Sequence, residues 1–494
     1  MRHAHRFALV ATFATLAIPP LAPLPAQQAP ADAVQRLARI QAEVERVTAA
    51  HPDAIWPRFR PDTMPVLYVV PGKGVLLLNW RGEAPQGFER VASVTGALWQ
   101  EAAVRTAAST GTTLAGRSAA QVFVFPDAND ALLFGTTVHE AFHAFERASE
   151  REGRRFGSGE NAFLVSSYPV FDPRNEAAVA LEGRLLARAL AAHTPGDLRE
   201  RAREFVAARE ARHRALGSDY ADFETMGELN EGLAEYALVR AFRLAADDAA
   251  FPWRDGAAEE VAHHRARLDS LTTNVTQSLR LRFYVTGPAM GLLLDRLSGS
   301  SWRARLERDD QTLQEALAEA SGYRDAERAL LARAARAADT AALSREARAG
   351  IERLRAVRRA QVDSVLAQPG VTLVLRADSL GGRFGLCGID PQNLLQVDAG
   401  VLLHTRWVKP CGPGLSAEFT TAAVQDRSAG TFTAVVGAED SVHMTAGGNA
   451  VAWRDGEAQM VTDLGIEAPG AAVKAARAVV RRAGRVLDVT PLPR

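Results

Sequence analysis

The composition of the chain changes abruptly at Gln368-Pro369-Gly370, and this change constrains the fold more than any other feature. From residue 129 to residue 367 the sequence is rich in Ala, Leu, Arg and Glu, which favour helices. Beyond residue 370, short β-branched and aliphatic runs alternate with glycines, which is typical of strands joined by turns. The expected strands are residues 371–375, 401–407, 431–436 and 450–453, with one helix near residues 471–482. This segregation predicts an α+β protein with a β-rich C-terminal domain.

The segment ahead of the helical region has a mixed character. Residues 33–49 carry apolar side chains at helical spacing, which predicts an amphipathic helix. Residues 64–70 and 75–80 are apolar runs joined by Pro71-Gly72-Lys73-Gly74, and this arrangement predicts a β-hairpin. Residues 121–125 are expected to form a third strand, which Pro126 ends.

The first residues have the pattern of a secretory signal peptide. A basic start from Arg2 to Arg6 is followed by an uncharged, mostly apolar run over residues 7–18, and Pro19 and Pro20 then break any helix. The apolar run is shorter than the roughly 20 residues that span a bilayer. We therefore predict cleavage after Ala26 and export to the periplasm or the extracellular space. No later run is long and apolar enough to be an integral membrane segment.

The charge balance and the cysteine content argue against two classes of function, nucleic-acid binding and a zinc site made of cysteines. The 58 basic residues balance 58 acidic residues, and no basic block stands out, which argues against nucleic acid as a partner. The two cysteines, Cys387 and Cys411, are too few for a thiolate zinc site, but export permits a disulfide between them. The sequence leaves the oligomeric state open.

A short segment of the helical region contains the pattern H-E-x-x-H, formed by His139, Glu140 and His143. Residues four apart lie on one face of an α-helix, so both imidazoles can bind the same ion. Glu140 lies beside that face, where its carboxylate can take a proton from a water that the metal activates. The other residues of the segment form an apolar stripe that predicts a partly buried helix: Phe134, Val138, Ala141, Phe142 and Phe145. We therefore predict a Zn²⁺ ion on the two histidines.

A catalytic zinc site takes three protein ligands and leaves one position open, so a third ligand must come from elsewhere. The best candidate is Glu231, in a segment where four carboxylates recur at helical spacing: Glu224, Glu228, Glu231 and Glu235. A solvated acidic stripe has the same spacing, but this segment is otherwise apolar, as a buried helix is. Gly232 lowers helix stability and permits a close approach to the His139 helix. Glu182, which also precedes a glycine, is the alternative third ligand.

Two motifs downstream carry a family resemblance. Residues 230–236 read N-E-G-L-A-E-Y and resemble the E-G-x-A-x-Y helix that carries the third ligand in gluzincin, or peptidase MA-like, zinc metallopeptidases. Residues 284–287 read Y-V-T-G and are similar to the Y-x-x-G segment of aminopeptidase N-like members. The resemblance covers residues 129 to 297, about a third of the chain.

The resemblance implies a zincin-like catalytic domain in which His139, His143 and Glu231 bind zinc. It implies that Glu140 is the general base in peptide hydrolysis and that the hydroxyl of Tyr284 stabilises the oxyanion. It also implies that the strand over residues 121–125 presents its edge to an extended peptide.

The sequence departs from the family in two ways. His143 and Glu231 are separated by far more residues than usual, and the insertion is expected to form an extra pair of helices. The G-x-M-E-N motif that grips a substrate amino terminus in aminopeptidases is absent, so an aminopeptidase is not implied and cleavage specificity stays open. A zinc-binding scaffold without turnover, or a zinc amidase or esterase, would need the same ligands.

The predicted division is residues 1–26 as signal peptide, 27–128 as an N-terminal α/β portion of the catalytic domain, 129–367 as the helical zincin-like region and 368–494 as the β-rich domain.

Overall fold

A computed structural model describes residues 31–493, except residues 103, 105–108, 274–278, 325–326 and 453. The predicted signal peptide lies outside the described residues. The helices are α1 (Ala31–Ala50), α2 (Asp130–Ser149), α3 (Pro173–Leu190), α4 (Pro195–Leu216), α5 (Ser218–Gly227), α6 (Leu233–Asp247), α7 (Arg254–Thr273), α8 (Phe283–Ser298), α9 (Ser301–Asp309), α10 (Leu313–Ser321), α11 (Glu327–Ala338) and α12 (Thr340–Leu366). None of these described helices combines the length and the apolar character that crossing a membrane requires.

The strands lie ahead of α2 and beyond α12. They are β1 (Val66–Val70), β2 (Gly74–Leu78), β3 (Glu89–Arg90), β4 (Leu98–Glu101), β5 (Thr110–Leu114), β6 (Arg117–Phe123), β7 (Val371–Arg376), β8 (Gly385–Ile389), β9 (Leu394–Asp398), β10 (Val401–His404), β11 (Val408–Gly412), β12 (Leu415–Phe419), β13 (Ala423–Asp426), β14 (Thr431–Val436), β15 (His443–Ala446), β16 (Asn449–Ala450), β17 (Ala458–Ala468), β18 (Ala471–Ala483) and β19 (Val486–Pro491). Helices and strands thus occupy different parts of the chain, which confirms the α+β class.

The chain folds into two compact units. The first unit contains residues up to Ser158 together with Ala234–Ala262, and the second contains Gly159–Leu233 together with His263–Arg494. Within the second unit the last helix ends at Leu366 and the first strand begins at Val371, so the change from helix to strand falls where the composition changes.

The first unit is built on a six-stranded sheet with the order β3-β4-β2-β1-β6-β5. β1 and β2 pair antiparallel with Val70 opposite Gly74, which confirms the predicted hairpin. β1 pairs with β6 in parallel, and every residue of β1 is buried, as expected for a central strand. The helix predicted over residues 33–49 is α1, which packs on α2.

The third predicted strand lies in the interior of this sheet. It is β6, which ends at Phe123 and lies between β1 and β5, so the edge strand on this side is β5. Thr110 of β5 pairs with Gln121, so the expectation that residues 121–125 offer an open edge is wrong at Gln121; among the described residues the pairing with β5 goes no further along β6. β5 reads T-G-T-T-L, and with one large apolar residue and a glycine it gives a weak strand signal in the sequence.

The apolar stripe of α2 is buried, as the sequence predicted. Phe134, Val138, Ala141 and Phe142 have no exposed surface. α2 lies against β5 and β6, and a Cβ atom on Gly135 would come within 2.3 Å of the Phe242 ring. This glycine therefore allows α6 to pack directly on α2.

In the second unit, α3 and α4 form a helical pair in the long segment between His143 and Glu231, which confirms the predicted extra helices. Asp172 caps α3 by accepting a hydrogen bond from the backbone N–H of Arg174, and Pro173 is the first helical residue. α12 packs on α3, while α10 and α11 pack on α4.

The C-terminal strands form a 13-stranded sheet in the second unit. The main path has the order β16-β15-β17-β18-β19-β7-β14-β13-β10-β9, and β12, β11 and β8 continue from β18. Predicted strands 371–375, 401–407 and 431–436 correspond to β7, β10 and β14. Of the predicted strand 450–453, Ala450 ends β16 and Trp453 lies outside the described residues.

The helix predicted near residues 471–482 is wrong, because this segment is the strand β18. Alanine and arginine suggested a helix, yet Ala471, Val473 and Ala475 are buried while Ala472 and Lys474 between them are exposed. This alternation is the period of a strand that covers a core on one face. Pairing with β17 and β19 therefore overrides the helix preference of the residues.

The predicted disulfide between Cys387 and Cys411 is present. Cys387 lies in β8 and Cys411 in β11, which are antiparallel neighbours, and their Cα atoms are 5.8 Å apart. This distance is usual for a disulfide, so the bond links two strands that already pair.

Candidate metal centre

Helix α2 places the two histidines of the H-E-x-x-H segment side by side. Asn129 caps the helix by accepting a hydrogen bond from the backbone N–H of Leu132 at 2.7 Å. The Nε2 atoms of His139 and His143 are 3.1 Å apart, and the side chains are 7% and 12% exposed. Glu140 lies between them in sequence and is also buried.

A carboxylate lies against the other nitrogen of each ring. The Nδ1 atom of His143 is 3.1 Å from Glu146, one turn further along α2. The Nδ1 atom of His139 is 3.0 Å from Glu235 of α6. An imidazole that carries its proton on Nδ1, towards a carboxylate, has its lone pair on Nε2. With this tautomer in both rings, the two Nε2 lone pairs would face each other, an arrangement that a cation between them stabilises.

The third residue of the centre, Glu231, lies in a π-helical turn over Glu228–Gly232 that joins α5 directly to α6. Turns of this kind are rare and are often found at functional sites. Ligand atoms of His139, His143 and Glu231 all lie within 4.8 Å of one another. Of the residues that the structure describes, these three form a buried group that could hold a metal ion, and we call them the metal group.

The spacing of the two histidines fits a bound metal ion. Two nitrogen ligands about 2.0–2.1 Å from a tetrahedral zinc ion are roughly 3.3 Å apart, close to the 3.1 Å between the imidazoles. Two imidazoles and one carboxylate are also the donor set of many catalytic zinc sites. The residues present could therefore hold a metal ion, and zinc as that ion stays a prediction.

Two side chains donate hydrogen bonds to the carboxylate of Glu231. Arg280 donates to its Oε1 atom and the hydroxyl of Tyr284 donates to its Oε2 atom. Burial alone would lower the pKa of Arg280, but Glu231 and Glu160 outweigh it and raise the pKa, so the guanidinium stays charged. The family resemblance implied that Tyr284 stabilises an oxyanion, and that role stays a prediction.

Gly232 permits a close approach, but to a different helix from the one predicted. A Cβ atom on Gly232 would lie 2.8 Å from the Cα atom of Gly287 in α8. The two glycines thus let the π-helical turn touch the helix that carries Tyr284, whereas the sequence assigned this contact to the His139 helix. Backbone contact of this kind is possible only where both residues lack side chains.

Two other carboxylates of the segment, Glu224 and Glu228, are buried together with Glu182 and two arginines. We call this group the arginine cluster: Glu182, Glu224, Glu228, Arg209 and Arg212. Arg212 bridges Glu182 and Glu224 at 2.6 Å each, and Arg209 bridges Glu182 and Glu228 at 2.9 and 2.6 Å. Burial alone would raise the pKa of Glu224, but Arg212 and His213 hold it well below its usual range. The acidic stripe is therefore not solvated, and Glu182 is a partner of arginines and not a member of the metal group.

Sequence reasoning missed four residues that surround the metal group. Glu146 and Glu235 follow His143 and Glu231 by three and four residues, so helical spacing was a usable signal for both. Arg280 and Glu160 are distant in sequence from the motifs and gave no signal. The fold alone brings them to Glu231.

Comparisons with known proteins do not extend the resemblance. No family model matches the chain, and searches of curated proteins and of solved structures find no significant match. The relation to gluzincins therefore depends on the motifs and remains a proposal, while the geometry of the metal group stands independently of it.

Proposed function

We propose that the protein is an exported, zinc-dependent metallopeptidase of the gluzincin type with a zincin-like catalytic domain. One observation carries the proposal. Two imidazoles and a carboxylate are gathered in a buried group, and each imidazole has its second nitrogen against a carboxylate. Such outer carboxylates fix the ring orientation and raise the basicity of the ligand, which a purely structural histidine does not need.

His139, His143 and Glu231 would hold the ion. Zinc in such a set supplies Lewis acidity for attack on an amide carbonyl. The buried carboxylate of Glu140 would accept the proton of the attacking water and pass it to the leaving nitrogen. The single hydroxyl hydrogen of Tyr284 is donated to Glu231 in this structure, and in the reaction it would turn from Glu231 to the carbonyl oxygen as negative charge develops there.

The edge strand β5 supports a peptide as the substrate. A Cβ atom on Gly111 of β5 would lie 2.9 Å from the Cβ atom of His143, so this strand runs directly beside the metal group. Arg147 donates to the carbonyl oxygen of Gly111 at 3.0 Å and fixes the strand there. An extended peptide can add to such an edge through backbone hydrogen bonds, which places its carbonyl groups near the histidines.

The test is a substitution that removes the base and keeps its shape. Glu140→Gln should lower zinc-dependent hydrolysis of a mixed peptide library by about 10²–10⁴-fold, because a positioned general base contributes that much. Zinc content, measured by elemental analysis, should stay at the wild-type level. Glu150→Gln, an exposed change just after the same helix, is the matched control and should keep full activity.

Two results would reject the proposal. One is wild-type protein that holds zinc but hydrolyses nothing in a chelator-sensitive way, which would favour a binding scaffold. The other is a Glu140→Gln enzyme as fast as the Glu150→Gln control.

A further inference from the structure

We propose that Arg280 is a positioning residue that fixes the Glu231 carboxylate for the metal, with Glu160 as its anchor. The inference rests on the proposed zinc site. It concerns two residues that no motif of the sequence marks, and it assigns a role to a buried ion pair that the reaction itself does not use.

Arg280 lies between two carboxylates. Its Nε atom donates to Glu160 Oε1 at 2.7 Å, and its Nη2 atom donates to Glu231 Oε1. Arg280 is 7% exposed, and the Glu160 and Glu231 side chains are 4% and 9% exposed. The guanidinium is planar and rigid, so it loses little conformational entropy for each hydrogen bond that it forms. A buried guanidinium that binds two carboxylates therefore holds both of them in place.

The anchor closes a ring around the π-helical turn. The second oxygen of Glu160 accepts a hydrogen bond from the side-chain amide of Asn230 at 2.8 Å. Asn230 directly precedes Glu231, so its hydrogen bond ties the chain next to Glu231 to Glu160. Arg280 links the side chain of Glu231 to Glu160 as well. Together with Tyr284 on Oε2, these contacts set the plane of the Glu231 carboxylate.

Holding Glu231 in this way leaves it able to bind a cation. Each carboxylate oxygen has two lone pairs, so a hydrogen bond accepted from Arg280 or Tyr284 does not by itself prevent that oxygen from binding a cation. Arg280 is shared between two carboxylates, and a divalent cation beside them would be attracted by their charge. Lysine in place of Arg280 would keep the charge, but its compact ammonium lacks the planar fork that reaches both carboxylates.

The chain offers a matched control two residues further on. Arg282 is also buried, and its Nη2 atom binds both oxygens of Glu176 at 2.7 and 2.6 Å. Arg282→Lys therefore makes the same chemical change to a buried Arg–Glu pair outside the metal group. Any general effect of weakening such a pair on the fold should appear in both variants.

The experiment measures Zn²⁺ affinity of the mature full-length protein by competition with a chelator. Arg280→Lys should lower the affinity by about 10–100-fold, the usual effect of losing a group that orients a ligand. Arg282→Lys should bind as tightly as wild type. With Co²⁺ in place of Zn²⁺, the visible absorption spectrum should change in Arg280→Lys alone, because it reports the geometry of the ligands and not the stability of the fold.

Equal affinities and identical Co²⁺ spectra in the two variants would overturn the inference while the zinc site stands. Wild-type protein that binds no Zn²⁺ would overturn the proposed function and the inference with it. If circular dichroism shows that Arg280→Lys does not fold, Glu160→Gln decides the question, because it removes the same bridge from its other end. An unchanged Co²⁺ spectrum in that variant contradicts the positioning role.

Discussion

The metal group and the arginine cluster use the same acidic segment in opposite ways. Glu224 and Glu228 are buried against Arg212 and Arg209, and these guanidinium groups neutralise them within the fold. Glu231 is equally buried, but it lies close to two imidazoles and shares Arg280 with Glu160. Burying charge is costly unless it is compensated. The acids of the arginine cluster are compensated by guanidinium groups of the fold, whereas Glu231 lies where an added cation would also contact two imidazoles.

This difference teaches how a ligand can be told from a structural acid when the sequence spacing is the same. Spacing and burial do not separate Glu224 from Glu231, because both lie on one segment and both are buried. The identity of the neighbours does separate them. Bidentate arginine contacts mark a structural carboxylate, whereas imidazole nitrogens backed by their own carboxylates mark a binding site.

The largest expected difference between the metal group and the arginine cluster should appear when one glutamate is removed from each. Glu231→Ala should lower Zn²⁺ affinity by more than ~100-fold, since losing a ligand costs more than losing its supporting contact. Glu182→Ala should keep its Zn²⁺ affinity but lower the free energy of unfolding by about 3–5 kcal/mol, because it removes the buried carboxylate that bridges Arg209 and Arg212. Chelator competition and urea unfolding measure the two quantities. The reverse pattern would make Glu182 the ligand.

A smaller effect should follow from filling the contact between two helices. Gly232→Ala would place a Cβ atom 2.8 Å from the Cα atom of Gly287, and such overpacking costs about 1–3 kcal/mol. Because the strain falls beside Glu231, Zn²⁺ affinity should fall as well. Gly196→Ala in α4 meets no atom within 4 Å, so its unfolding free energy should stay equal or rise slightly. Equal behaviour of the two variants in urea unfolding would show that the glycine contact is not tight.

The smallest expected effect is a pH dependence of the arginine cluster alone. Arg212 and His213 depress the pKa of Glu224 in the folded state below the value of 4.5 expected for a free side chain. The stability it contributes is therefore present above about pH 4.5 and is lost as the pH falls through the depressed folded pKa. In chelator, the difference in unfolding free energy between wild type and Glu224→Gln should be full near pH 6 and shrink in acid. A difference that grows on acidification would show the opposite shift.

The sequence predicted those parts of the molecule that local pattern determines. The helix α1, the hairpin of β1 and β2, and the buried face of α2 each repeat apolar residues at the period of their own structure. The two histidines and Glu231 followed from spacing and motif. Apart from Glu231, which was selected by a motif far along the chain from the histidines, these features depend on residues within one or two turns of each other, where periodicity is informative.

The errors arose where distant partners decide the structure. β18 has a composition that favours a helix, and only its pairing with β17 and β19 makes it a strand. The position of β6 inside the sheet depends on β5, a weak strand that the sequence hardly marks. Arg280 meets Glu231 because the fold brings the start of α8 to the π-helical turn. No periodicity could have indicated such contacts.

The π-helical turn at Glu228–Gly232 has a consequence for how one helix can serve two neighbours. A turn with five-residue hydrogen-bond spacing inserts extra chain and changes the rotational phase of everything beyond it. Glu224 and Glu228, up to the first residue of the turn, contact arginines, whereas Glu231 and Glu235, near its end and beyond it, lie near the histidines, although all four are spaced as on a single stripe. Deleting one residue here would restore a regular helix and bring the two halves back into phase. Because of this irregularity, the first glutamates of the run contact arginines and the last ones lie near the histidines.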